Sequence, residues 1–370
     1  MNNNNIDPNY YPNVADILYG SYIRYDRLFE MTKYAFYGKT DSNNVNIFID
    51  AYSILNGLYK RGTNIQIVDS YSIASCIINL AIHLRAYFES RHRVSSKVYI
   101  IYGGARPEAA SKAYSPYNMR NIQMEDSNEY LKGIIKDNLL VIQILCRYLY
   151  DIFAIVDYKN EFSVMTSAFI DLNIEKGNNA PNIIYSKDPL SYQLVAFKPY
   201  TFLYRPKKKA NEDCSWVVTK STLYNAYRYG ELGLTKQFDT TLNVKMFSIY
   251  QSISGVKSRN ILAAKNGNVT VKLLEKAVEN NVFSMGYNMA SMLRDGYNPF
   301  ETICQGTNIS HLDIFNRFTA IDLPHQTMLY TMGTDYIVNL TELINLYNPQ
   351  EVRNINDKYF QTYPLDLNRV

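Results

Sequence analysis

Asp50 ends the apolar run Val45-Asn46-Ile47-Phe48-Ile49-Asp50, and Asp188 lies in the turn Ser186-Lys187-Asp188-Pro189 that follows a second run, Asn182-Ile183-Ile184-Tyr185. Continuous apolar runs rich in β-formers read as parallel strands buried on both faces, and ligand sites in open α/β sheets sit at the carboxyl ends of such strands. Both aspartates therefore stand where chemistry is usually done. A third run, Lys97-Val98-Tyr99-Ile100-Ile101-Tyr102, ends instead in Gly103-Gly104, which permits close approach of another group but supplies no charge. Other chemistries are poorly supplied. His83, His92, His311 and His325 have no partner at metal or triad spacing, and the G-x-G-x-x-G dinucleotide pattern is absent. Cys76, Cys146, Cys214 and Cys304 form no CxxC pair, so buried reduced thiols are expected rather than a zinc site or disulfides.

The elements that would hold these residues follow from periodicity. Helices are expected over 15–37, 52–60 and 70–90, the last through Ile73, Cys76, Ile77, Leu80, Ala81 and Leu84. Further helices are expected at Asp137–Tyr150 and Phe162–Leu172, with a short strand at Phe153–Val156 and another strand at Leu194–Tyr204. Beyond residue 206 the pattern changes to helices, at 219–229, 238–251, 258–265, 270–280 and 283–294. The division is an arm at 1–45, an α/β domain at 46–205 and a helical region at 206–370. The arm begins with a polar run, Asn2 to Asn5, and carries Ile17, Leu18, Tyr22, Tyr25, Leu28 and Phe29 near helical spacing, an apolar face that either meets a partner or folds back.

Composition sets the outer bounds. A chain of 370 residues is long enough for two domains, and 19% charged residues is ordinary for a globular protein. No apolar run is long enough to span a membrane, and residues 1–8 lack the features of a signal peptide. A net charge of +4 is mild, so a basic surface must come from local clustering. The 34 tyrosines against one tryptophan have two readings. AT-rich codons would produce them along with the many Asn, Ile and Lys, while tyrosine also suits protein interfaces because a rigid ring with a polar tip buries area at low entropy cost.

The order of these pieces resembles the 5′→3′ exonucleases and flap endonucleases of the PIN-like nuclease group, in their phage form. The resemblance rests on Asp50 at the first strand's end and on Tyr102-Gly103-Gly104 with Arg106 and Ser115-Pro116-Tyr117-Asn118-Met119-Arg120. It continues through Ser186-Lys187-Asp188-Pro189-Leu190-Ser191-Tyr192-Gln193-Leu194, the hairpin remnant Ser252-Ile253-Ser254-Gly255-Val256-Lys257-Ser258, and Asn316-Arg317 ahead of Ala320-Ile321-Asp322-Leu323-Pro324. It implies a parallel-stranded α/β sheet with flanking helices, followed by a mostly helical C-terminal region with a degenerate helix-hairpin-helix.

It also implies two-metal catalysis, which needs several converging carboxylates because hard cations demand oxygen ligands. Here Asp50 and Asp188 stand at family positions and Glu161 falls near another. The remaining acids are replaced, by Gly103, by Leu190 and by Met246 to Gln251. The expectation is a scaffold without a catalytic, cofactor or metal site, in which Asp50 and Asp188 are vestigial, with capping of the helices that follow as their expected role. If the chain is instead an active nuclease, its cofactor is Mg²⁺. Arg205, Lys207, Lys208, Lys209, Lys257 and Arg259 lie where relatives hold a duplex backbone, and phosphate contacts need only cations and amides, so DNA binding could outlive catalysis. The expected role is structural: a phage-particle component, a ring or neck near packaged DNA, located in the virion or in the host cytoplasm during assembly. Its expected partners are other copies, further virion proteins and possibly DNA. A working repair or replication nuclease and a DNA-binding accessory factor are the alternatives.

Overall fold

The computed structural model describes residues 43–54, 71–104, 107–117, 129–186, 188–206, 215–218, 247–256, 259, 261, 263, 272–273, 275–277, 279–280, 298–332, 346–361 and 364–369. The expected helices at 15–37, 219–229 and 283–294, most of 52–60, and Cys214 lie outside them.

The apolar runs become strands. β1 (Asn44–Asp50), β2 (Ser95–Gly103), β3 (Ile152–Asp157), β4 (Asn182–Tyr185), β5 (Thr201–Pro206) and β6 (Ser215–Val218) form one sheet in the order β3-β2-β1-β4-β5-β6. The first five are parallel and β6 joins antiparallel at the edge. Because β1 has β2 on one side and β4 on the other, the chain changes direction across the sheet there. Crevices at such switch points, outside the strands' carboxyl ends, are where open α/β sheets bind ligands. The order therefore brings the end of β1 next to the turn after β4, with Ile49 opposite Tyr185.

Helices cover both faces, which is why the strands read as unbroken apolar runs rather than alternating ones. On one face Val45, Ile47 and Ile49 pack with α1 (Ser72–His92) and α3 (Glu129–Cys146). On the other, Phe48, Tyr99 and Ile101 pack with α4 (Phe162–Glu175) and α5 (Tyr192–Phe197). A short helix, α2 (Glu108–Ala113), follows β2. Phe48 is fully buried, stacked on Tyr99 at 5.2 Å and meeting Phe169 edge-on at 5.7 Å between centroids. By the alternation of a strand, Asp50 shares the face of Phe48.

Chain beyond residue 206 contributes to both faces. Val256, Ile261, Ala320, Ile321, Leu323 and Tyr330 enter the Phe48 cluster, while Val352, Ile355, Phe360 and Leu365 enter the other. The helices involved are α8 (His311–Ile321), α9 (Leu323–Thr331) and α10 (Pro349–Tyr359), while α6 (Phe247–Ser254) and α7 (Pro299–Cys304) pack with Ile314 and Phe318 of α8 in a separate cluster. The segment 364–366 is tied to α1 by Asn79, whose side chain donates to the Pro364 carbonyl at 3.1 Å and accepts from the Asp366 amide at 2.9 Å. His83, also on α1, lies 3.4 Å from Asp366. Cys76, Cys146 and Cys304 are buried free thiols, as their spacing predicts.

Two sequence expectations fail. The predicted strand at Leu194–Tyr204 is the end of α5 followed by β5. Burial rather than alternation decides this: Tyr192, Gln193, Leu194, Val195 and Ala196 are all buried, and Gln193 fastens the helix by donating to the Ile321 carbonyl at 2.8 Å and accepting from the Leu323 amide at 2.9 Å. Tyr200, at φ +48°, then reverses the chain into β5. The predicted helix at 258–265 is not an α-helix at its described positions, where Arg259 lies in a 3₁₀ turn and Ile261 in an isolated bridge. Gly255, at φ +85°, ends α6, and Val256 and Ile261 exchange backbone hydrogen bonds of 2.8 and 3.1 Å that close a tight loop around Arg259.

The aromatic stack on β1 generates a direct test. Phe48→Ala should cost about 3–5 kcal/mol, the usual range for truncating a fully buried phenylalanine, read as a lowered midpoint in denaturant unfolding. A loss below roughly 1 kcal/mol would contradict the packing described.

Candidate functional site

At the carboxyl rim of the sheet each carboxylate already has partners. Asp50 is buried, and one of its oxygens accepts from the Ser53 amide at 3.0 Å. The other accepts from the hydroxyls of Ser186, at 2.6 Å, and Ser53. The Ser53 contacts cap the helical turn at 51–54. Ser186 Oγ in turn accepts from the Asp188 amide at 3.0 Å. Asp188 Oδ1 accepts from the Leu190 amide at 3.2 Å, capping the single 3₁₀ turn Pro189–Ser191. The capping role anticipated for both aspartates is thus present in their hydrogen bonds.

The rim also holds a cation. Arg259, delivered by the tight loop after α6, is buried, with only 4% of its side chain exposed. Its Nη2 meets Asp188 Oδ2 at 2.5 Å, and its Nε donates to Glu161 Oε1 at 2.9 Å and to the Tyr117 hydroxyl at 3.2 Å. Tyr117 is buried and donates its own hydroxyl proton to Glu161 Oε1. Glu161 immediately precedes α4, yet its side chain makes no capping bond and turns to Arg259 instead.

The electrostatics follow from burial. Burial raises the Asp50 carboxyl to about 6, with the Ser186 and Ser53 hydrogen bonds opposing and the Asp188 charge adding. Burial also raises Glu161, with Arg259 opposing. Arg259 is held well above its ordinary value: burial opposes its charge, and Asp188 and Glu161 outweigh that penalty. Tyr117 is pushed far up, first by burial and then by the Glu161 charge, so it stays a protonated phenol.

This arrangement corrects one sequence expectation. The sequence pattern puts Arg259 among the DNA-contacting cations, but it is buried and committed to two carboxylates. Of the other cations in that set, Arg205 lies on β5 with its backbone opposite Trp216. Lys207, Lys208, Lys209 and Lys257 lie outside the described residues. Sequence reasoning found Asp50, Asp188 and Glu161 but missed their connection, because nothing in the letters distinguishes an arginine that faces phosphate from one that turns inward.

The metal pair implied by the resemblance does not fit these residues. Arg259 occupies acceptor positions on Glu161 and Asp188, and Asp50 is engaged by serines. At Gly103, where the resemblance expects a further carboxylate, an added Cβ would lie 2.3 Å from the Phe162 amide nitrogen and 2.8 Å from the Glu161 carbonyl carbon. At Gly104 it would lie 1.8 Å from the Tyr158 carbonyl oxygen. The β3–α4 connection has closed onto the end of β2, so the glycines are required by packing. Among the described residues, no group of three or more His, Cys, Asp or Glu side chains is placed to hold a metal ion.

The late Asp322 is buried too. It caps α9 by accepting from the His325 amide at 3.2 Å and also accepts from Ser248 Oγ at 2.8 Å, and burial raises it to about 6.

No family model and no curated protein matches the chain. Among solved structures it is similar to the bacteriophage T5 D15 protein co-crystallised with metal ions, at TM-score 0.49 and 12% identity over 84% of this chain and 99% of that one. It is also similar to the T5 flap endonuclease in a pseudo-enzyme–product complex with DNA and metal ions, at TM-score 0.48 and 11% identity over 86% and 100%. Human GEN1 in complex with Holliday junction DNA aligns at TM-score 0.36 and 12% identity over 80% and 71%.

Two predictions follow from the rim. Asp50 and Asp322 bind a proton more tightly folded than unfolded, so between pH 4 and 6 the native state holds the extra protons and stability falls as pH rises. Each contributes up to about 3 kcal/mol to that fall. Asp50→Asn and Asp322→Asn should each flatten the decline in chemical unfolding measured across this range; unchanged slopes in both would refute the assignment. Separately, Gly103→Asp, which restores the expected acid, should destabilise by several kcal/mol on the order of a core overpacking change, and a neutral effect would show that the rim has room.

Proposed function

We propose that this chain is a non-catalytic protein with the order of elements of the 5′→3′ exonucleases, acting through the contacts it makes rather than by cutting nucleic acid. The observation that carries the reading is the buried guanidinium of Arg259 on Glu161 and Asp188. In a two-metal site carboxylates converge so that cations can offset their charge and activate water. Here an arginine supplies part of that compensation through its Nε and Nη2, and a guanidinium does not lower the pKa of a bound water as a metal ion does. Both oxygens of Asp50 already accept hydrogen bonds from Ser53 and Ser186, which a metal ion would have to displace.

The contact role extends to a structural or assembly component of a phage particle. Support comes from the additional segment at 1–45 with its apolar helical spacing and from a tyrosine supply suited to interfaces. Copies arranged as a ring would meet head to tail. The Lys207–Lys209 run leaves backbone contact with packaged DNA compatible with this role.

Purified protein offered flap and nicked duplex substrates with Mg²⁺ or Mn²⁺ should cut neither. Cleavage by the wild type that disappears in Asp50→Ala would overturn the proposal and establish a working nuclease. The assembly part is tested by sizing the protein with and without residues 1–40: the full chain should form a defined oligomer that the truncated chain does not, and monomers in both cases would contradict it.

A further inference from the structure

The contacts around Arg259 define a pocket with a specific shape as well as a charge. Glu161 Oε1 receives two donors, the Arg259 Nε–H and the Tyr117 hydroxyl, while Asp188 Oδ2 receives a third from Nη2. Tyr117 spends its proton on Glu161 and accepts from Nε, so the phenol relays one hydrogen bond and receives another. The side chains of Arg259, Glu161 and Asp188 are at most 8% exposed, so the group sits out of water. Three acceptors from three separate parts of the chain, residues 117, 161 and 188, thus converge on the edge of one planar cation.

A guanidinium meets this arrangement in a way that a metal ion or an ammonium does not. Its N–H donors radiate in a fixed plane, and it is more weakly hydrated than an ammonium, so moving it out of water costs less. A magnesium-like ion needs near-octahedral oxygen ligands and gives up its water reluctantly, and a protonated phenol is no ligand for it. We propose that Glu161, Asp188 and Tyr117 form a guanidinium-selective pocket, filled in cis by Arg259, which fastens the loop after α6 to the carboxyl rim of the sheet. The ligand of the pocket is an organic cation built into the chain. This rests on the same residues as the functional reading above, but it concerns what the pocket accepts and not whether DNA is cut.

Chemical rescue tests it. Arg259→Ala deletes a fragment the size of ethylguanidinium. In thermal unfolding Arg259→Ala should lower the Tm by roughly 5–10 °C, as expected for stranding two buried carboxylates. Millimolar ethylguanidinium chloride should recover most of that loss in Arg259→Ala and leave the wild type unchanged. Ethylammonium chloride, MgCl₂ and MnCl₂ should recover little. Arg259→Lys, which keeps the charge without the fork, should also lose stability. If Arg259→Ala does not fold alone, refolding in the presence of ethylguanidinium replaces the Tm as the readout. Rescue by Mg²⁺ or Mn²⁺ in place of ethylguanidinium, rescue by neither, or a fully stable Arg259→Lys would each overturn the proposal. A wild type that cuts DNA would sink the non-catalytic reading while leaving the rescue result standing.

Discussion

Burying an ionised group is costly unless it is paired and hydrogen-bonded, and this constraint shapes the carboxyl rim of the sheet. Asp50, Glu161 and Asp188 are all buried there, set in place by β1, by the entry to α4 and by the turn after β4. Each uses a different remedy. Asp50 gathers hydroxyls and an amide and shifts towards protonation. Asp188 divides its oxygens between an amide and Arg259. Glu161 takes Arg259 and Tyr117. The segment around Arg259 must sit where it does because these carboxylates need its charge, and the carboxylates can remain because the charge is there.

The same logic accounts for the glycines at the end of β2. With no side chain at 103, the backbone of the β3–α4 connection lies against the end of β2, where a hypothetical Cβ would be 2.3 Å from the Phe162 amide nitrogen. That approach places Glu161 beside Arg259. The glycine at 103 and the ion pairs of Arg259 thus belong to one packing arrangement at the rim.

Much of the fold was legible in the sequence because double-sided burial leaves a plain signal. The runs at 45–50, 97–102 and 182–185 are the central strands, and α1, α3 and α4 follow the helical spacing of their apolar residues. What stayed hidden has physical causes. Alternation misread Leu194–Tyr204, since full burial erases period and only the long-range anchoring of Gln193 to Ile321 and Leu323 settles the helix. The carboxylates could be found by their place after strands. Arg259 could not, because its role depends on a partner 71 residues away at Asp188 and another 98 residues away at Glu161. An arginine after a hairpin-like remnant reads as a phosphate contact until the loop between Val256 and Ile261 turns it inward.

The central claim is that an arginine, not a pair of metal ions, balances the carboxylates at this rim. Anomalous diffraction from crystals grown with saturating MnCl₂ tests it most directly. The account predicts Arg259 seated between Glu161 and Asp188 with no manganese peak among Asp50, Glu161 and Asp188. Two adjacent peaks at those carboxylates, with the Arg259 side chain displaced, would contradict it.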